Sequence, residues 1–262
     1  MDWITVIILI VAGVFVGFIN TLAGGGSVIS LSVLMFLGLP PTVANGTNRI
    51  AILIQTFTAV SSFKKQKVLE SRKALLLGIP AAIGSVVGAF IAVDINEIIF
   101  ERAFAIVMLV MLVFILYKPQ KYLYGRKELM NKKINVWQIL LFFLIGIYGG
   151  FIHVGIGYFL LAGIVLSAGF DLVKANAIKV TIAFFVTVVA LLVFFFSHEI
   201  NLLYGIVLGL GTIAGAIIAS RMAVKKGVSF VRWVIVILII VFSIHFLGIA
   251  DIKELFVSMG NS

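Results

Sequence analysis

The sequence predicts an all-α polytopic membrane protein built from two inverted-topology repeats, each a broken, re-entrant-like helical hairpin followed by three transmembrane helices. Three observations predict it. The 262 residues are 63% hydrophobic and 11% charged, with a mean hydropathy of +1.26, far beyond the roughly 45–50% apolar usage of soluble domains. Apolar runs recur along the chain and are long enough for helices that cross ~30 Å of hydrocarbon, whereas a β-barrel would show short alternating segments. Motifs of the first half also return, in order, in the second.

The elements follow from the N-terminus. The first apolar run is preceded by Asp2 and by no basic residue, so it reads as a retained membrane segment and not a cleaved signal. It covers residues 3–38 and is interrupted by LAGGG at residues 22–26, which makes it a hairpin turning inside the membrane. Spans follow at about residues 43–63, 73–93 and 101–117. The stretch 136–168 would rise about 50 Å as a single helix, too much for one crossing. It reads as a second hairpin, broken at HVGIG, residues 153–157. Spans at about 175–196 and 202–220 come next, and a last one starts near Phe230. Residues 1–117 thus form the first repeat, 118–135 a basic linker and 136–262 the second repeat.

Charge sets the expected orientation. The loops 64–73, 118–133 and 221–227 are rich in Lys and Arg, which places them in the cytoplasm. The connections 94–101 and 197–201 and the tail 251–262 carry acidic residues and fall outside, so both termini lie outside. The net charge of +10 is this loop bias and not a nucleic-acid footprint. The expected partners are the lipid bilayer and a small anionic substrate, with no nucleic acid. The chain has no cysteine, which excludes disulfides, thiolate metal sites and cysteine nucleophiles. No Asp or Glu falls in the middle of a span, so acid–base or metal chemistry lacks its usual groups. No catalytic residue, metal or cofactor is expected.

The internal repeat points to function. GFIN at 17–20 answers GFIH at 150–153, and GLPPTVANGTN at 38–48 answers GFDLVKANAIK at 169–179. Gly78, Gly84 and Gly88 match Gly205, Gly211 and Gly215, and FER at Phe100 matches FVR at Phe230. Inverted repeats are an architecture of secondary transporters, whose substrate sites lie near the midplane between broken helices. Irregular backbone at membrane depth must face protein or water, so both breaks point inward. The start of each half-helix then offers backbone amides and partial positive charge to an anion.

The candidate substrate-binding residues are Asn20, Gly24, Gly25, Gly26 and Ser27 at the first break, and His153, Gly155 and Gly157 at the second. Asn45, Asn48 and Arg49 on one span, and Asn176 and Lys179 on its counterpart, join them. Spacings of three and four put each amide and cation on one helix face. A cation within a span is a functional candidate by default, and with no buried carboxylate to pair it an incoming anion is its natural partner. The competing reading is that Arg49 and Lys179 snorkel to the interfaces while the glycines only let the chain turn. Gln55, Thr56 and Thr181 could line the path. The pairs Gly13/Gly17, Gly84/Gly88 and Gly211/Gly215 suit close helix packing and could also join two copies into a homodimer. The function expected is secondary transport of a small anion by alternating access, with an anion channel on the same scaffold as the alternative.

The stretch GFINTLAGGGSVISLSVLMFLGLPPTVANGTNRIA, residues 17–51, resembles the sulfite exporter TauE/SafE family of membrane permeases. GFIHVGIGYFLLAGIVLSAGFDLVKANAIK, residues 150–179, resembles that family's second half. The resemblance implies an inner-membrane transporter of sulfite, an organosulfonate or a related sulfur-containing or carboxylate anion. It places Gly24, Gly25, Gly26, Asn45 and Asn176 at positions of the family pattern. The second glycine cluster is thinned here to Gly155 and Gly157, with Tyr158 beside them.

Overall fold

Helix starts along this chain are written in its caps. Asp2 accepts from Thr5 N to open α1 (Trp3–Leu22). Pro41, at the first position of α3 (Pro41–Lys65), supplies a fixed φ where no intrahelical N–H partner is needed. Asn135 and Gln138 form a reciprocal capping box on α7 (Val136–Phe151), and Asp171 accepts from Val173 N and Lys174 N to open α9 (Leu172–Phe196). Between them lie α2 (Ser27–Phe36), α4 (Ser71–Asp94), α5 (Glu97–Tyr117), the single turn α6 (Lys127–Met130), α8 (Ile156–Ala168) and α10 (Leu202–Ala223). This computed structural model describes residues 1–117, 126–130 and 133–223. The last expected span, the acidic tail and most of the basic linker lie outside the described residues.

Among the described residues there is no strand, and α1, α4, α9 and α10 are long and apolar enough to cross a membrane. The protein is an all-α polytopic membrane protein. Both expected breaks are present: α1 ends at Leu22 and α2 starts at Ser27, while α7 ends at Phe151 and α8 starts at Ile156. The arms are unequal, since α1 rises about 30 Å and α2 only about 15 Å. One piece of the linker is ordered differently from the expectation of a plain loop. Arg126 and α6 sit under the turn between α8 and α9, where Gly169 leaves no room for a side chain against the Arg126 carbonyl.

The packing is reciprocal between halves. Helix α1 lies along α10, and α7 lies along α4; α3 packs on α10 and on α9, and α9 packs on α4. The contacts of α1 with α10 are made at Gly13, Gly17, Gly211 and Gly215, each of which faces bare backbone of the other helix. Those of α7 with α4 are made the same way by Gly146, Gly150, Gly84 and Gly88. Gly17 rests on the Thr212 carbonyl and Gly150 on the Ser85 carbonyl, so a Cβ at either would overlap backbone. These faces are therefore consumed inside the chain, and a homodimer would have to use a different surface from the one the sequence suggested.

Register gives direction. Gly13 meets Leu208 while Gly215 meets Val14 and Phe18, so α1 and α10 run parallel, as do α4 and α7 by the equivalent contacts. Gly46 meets Phe194, and Phe57 stacks on Phe184, so α3 and α9 run antiparallel. The central helices α3 and α9 thus point in opposite directions. The long polar-studded α3 and its counterpart α9 end up side by side at the centre, between the two broken hairpins.

Candidate functional site

The two breaks touch. Gly24 has φ +90°, a left-handed conformation that favours glycine, and a Cβ on it would overlap the Cα of Gly157. The converse holds for Gly157 against Gly24. Gly155 has φ +71° and faces the Met111 sulfur, so it is the turning residue of the second break. Each break is also braced from its own half. Asn20 Oδ1 accepts from Ser27 N and Asn20 Nδ2 donates to Ser27 Oγ, both at 3.2 Å, which closes the start of α2. Tyr148 donates its hydroxyl to the Val154 carbonyl at 2.5 Å.

Behind this contact lies a cavity of about 20 Å³ lined by Asn20, Gly24, Gln55, Thr56, His153, Ile156, Gly157, Lys179, Val180 and Ala183. It is large enough for a water molecule. All four broken or central elements contribute: α1 and the first break, the second break, α3 and α9. Gln55 donates to Thr21 Oγ1 at 2.9 Å, tying α3 to the end of α1.

The two cations are buried and already coordinated. Arg49 Nη1 donates to the Gly149 carbonyl at 2.6 Å and reaches His153 Nδ1 at 3.1 Å. Its Nη2 donates to the Gly150 carbonyl at 2.8 Å and to Asn45 Oδ1 at 3.3 Å. Asn45 Nδ2 donates to the Phe151 carbonyl at 2.8 Å, so both side chains cap the end of α7. Arginine only donates, so this contact is a hydrogen bond in the tautomer that leaves His153 Nδ1 unprotonated. Lys179 Nζ donates to the carbonyls of Asn20 and Thr21 at 3.3 and 3.1 Å, at the end of α1. Each cation thus meets the last carbonyls of the other half's first helix, which have no intrahelical donor and carry the negative end of the helix dipole.

This corrects two expectations. Neither cation snorkels, since Arg49 is fully buried and Lys179 is 2% exposed. Nor do they wait uncompensated for an anion, because backbone carbonyls supply the counter-charge that no carboxylate could. Of the residues singled out in the sequence, Asn20, Gly24, Gln55, Thr56, His153, Gly157 and Lys179 line the cavity. Gly25 faces the Tyr158 ring, Gly26 packs on the Val16 carbonyl of α1, and Ser27 is held by Asn20. Asn48 and Asn176 are buried close to the cations along their helices, and Asn48 Nδ2, Asn48 Oδ1 and Asn176 Oδ1 find no partner among the described residues. Sequence reasoning missed Tyr148, Ile156, Val180 and Ala183; only Tyr148 carries a signal, as a hydroxyl one turn before a break.

The family model described as sulfite exporter TauE/SafE matches residues 9–246. The chain belongs to this family. Relatives similar to it include a probable membrane transporter protein, ORF9, of Sinorhizobium sp, 29% identical over 92% of this chain and 91% of that protein. A probable membrane transporter protein of Haemophilus influenzae is 27% identical over 88% of this chain and 90% of its own length. The probable membrane transporter protein YunE of Bacillus subtilis is 24% identical over 88% and 95%. No solved structure matches the chain significantly. The TauE/SafE match extends through both breaks and both cation-bearing helices, so the central assembly described above lies within the matched residues.

Proposed function

We propose that this TauE/SafE chain is a secondary transporter of a small anion, sulfite or another sulfur-containing or carboxylate anion, working by alternating access between two inverted halves. The observation that carries the proposal is the meeting of two oppositely directed broken hairpins at Gly24 and Gly157, with a polar cavity beside the contact. Lys179 supplies positive charge there, Asn20, Gln55, Thr56 and His153 supply hydrogen-bonding groups, and the two glycines keep side chains out of the way. That is a mixed set suited to oxygens of one small anion, with no carboxylate to repel it.

The cavity of about 20 Å³ holds a water but not sulfite, which has three oxygens around sulfur. Binding therefore requires the breaks to part, as in a carrier that opens to one side at a time, and the small size of the cavity favours this over a standing pore. In this reading the protein sits in an inner membrane, and the loop bias supports residues 64–73 in the cytoplasm and the N-terminus outside.

The test is sulfite flux into proteoliposomes. Saturable uptake with counterflow is expected from wild type, and Lys179→Gln should lower it at least about tenfold, the scale of one charged contact in a dry site. Unchanged flux in a folded Lys179→Gln would overturn the role of the cavity. Currents that do not saturate with sulfite would replace the carrier by a channel.

A further inference from the structure

Resting on the transport reading above, we propose that Lys179 is an exchangeable cap on the end of α1, surrendered to the anion on binding, whereas Arg49 is a fixed cap on the end of α7. Lys179 aligns with Asn48 in the repeat, one residue before Arg49, yet the two cations play matching parts, each on the central helix of one half and each on the last carbonyls of the other half's first helix. Their surroundings differ. Arg49 commits Nη1 and Nη2 to four acceptors, lies with Cζ 5.5 Å from the centre of the Phe194 ring, and is not among the residues lining the cavity. A planar guanidinium held in a fork cannot turn to a ligand without baring two helix-end carbonyls at once.

Lys179 makes two longer bonds, 3.3 and 3.1 Å, and its side chain lines the cavity. An ammonium has three donors on a flexible stem, so one N–H remains for a cavity ligand while the other two hold the helix. A full negative charge outcompetes a helix end, which presents only about half a charge. The ammonium then swings from α1 to the anion.

The consequence falls on the first break alone. The carbonyls of Asn20 and Thr21 lose their cation one turn before Gly24 reverses the chain. The end of α1 is tied to α2 through Asn20 and Ser27 and to α3 through Thr21 and Gln55, so its loosening is passed to both. The second break stays pinned by Arg49 and Asn45. Substrate charge is thereby converted into motion of one hairpin against a stationary one.

Hydrogen–deuterium exchange of the full chain, with sulfite against chloride at equal ionic strength, tests this. Backbone amides in residues 19–26 should exchange about tenfold faster with sulfite, the scale of losing one charged helix-end contact, while residues 148–156 stay unchanged. Lys179→Gln should show the fast exchange at 19–26 without sulfite and no further response. If sulfite is transported but leaves 19–26 unchanged, or loosens both breaks alike, the exchange mechanism is wrong and the transport reading stands. If wild type neither transports nor gains thermal stability from sulfite, thiosulfate, sulfoacetate or acetate, the transport reading falls and the mechanism with it. Should Lys179→Gln fail to fold, the contrast between the two breaks in wild type alone decides.

Discussion

Replacing Arg49 with Met keeps much of the side-chain length and removes the fork. The perturbation bares the Gly149 and Gly150 carbonyls, Asn45 Oδ1 and His153 Nδ1 together. A buried acceptor left without a donor costs about 1–3 kcal/mol, and four of them would exceed the stability of many domains if nothing offset the loss. The offset is the desolvation of the guanidinium itself, which the variant no longer bears. Breaking one partner of a buried charged arrangement nets about 3–5 kcal/mol, and at roughly 2–4 °C per kcal/mol for a chain of this size the melting point should fall by about 10 °C. Thermal unfolding in a mild detergent, followed by tryptophan fluorescence or loss of monodispersity, reads it. Arg49→Lys keeps the charge but cannot bridge two carbonyls with a planar fork, so it should lose about half as much. If Arg49→Met melts within about 2 °C of wild type yet loses sulfite flux, the guanidinium serves the substrate and not the helix end, and the capping argument is refuted.

Other outcomes follow from the same contacts. Gly24→Ala and Gly157→Ala each push a methyl into the opposite break and should cost about 1–3 kcal/mol of overpacking while abolishing flux; flux at wild-type level from either would mean that the breaks do not need to touch. Glu70→Gln removes the ion pair with Lys174 at 2.8 Å, whose side chains are 44% and 36% exposed, so the melting point should shift by no more than about 3 °C and the shift should shrink in salt. In the turn between α9 and α10, partial burial and then Glu97 push the Glu199 carboxyl above its usual range. A carboxyl raised in the fold binds its proton more tightly there than when unfolded, so its contribution is present below the unfolded pKa and is lost as pH rises through the folded one. Melting curves taken across about pH 4 to 6 should therefore slope less for Glu199→Gln than for wild type; an identical slope would place the pH dependence elsewhere.

Much of the framework was legible because it rests on apolar length. The breaks at residues 22–26 and 153–157 interrupt runs that are otherwise unbroken, and an apolar stretch of about 50 Å has to fold back. The glycine spacings were legible too, since only glycine allows backbones to rest on each other's carbonyls, as Gly17 does on Thr212. What sequence could not give was the counter-charge of Arg49 and Lys179. A search for partners inspects side chains, and a helix-end carbonyl belongs to every residue type, so Gly149, Gly150, Asn20 and Thr21 left no mark. That the two ends lie beside those cations depends on α3 and α9 being antiparallel neighbours, which is a fact of tertiary packing. The turn α6 was likewise invisible inside a basic loop, because its role is set by the Gly169 corner above it.

The crossed capping has a bearing on biosynthesis. Arg49 leaves the ribosome ahead of its acceptors, which lie 100 and 101 residues further on, and a lone arginine at membrane depth costs about 2.5–3.5 kcal/mol or more. Lys179 meets acceptors made 159 and 158 residues earlier. The first half must therefore wait at the membrane with its arginine unquenched, open to chaperones and proteases, until α7 arrives, whereas the second half inserts onto a seat already built. A nascent chain arrested before α7 is the form of this protein that quality control has most reason to remove.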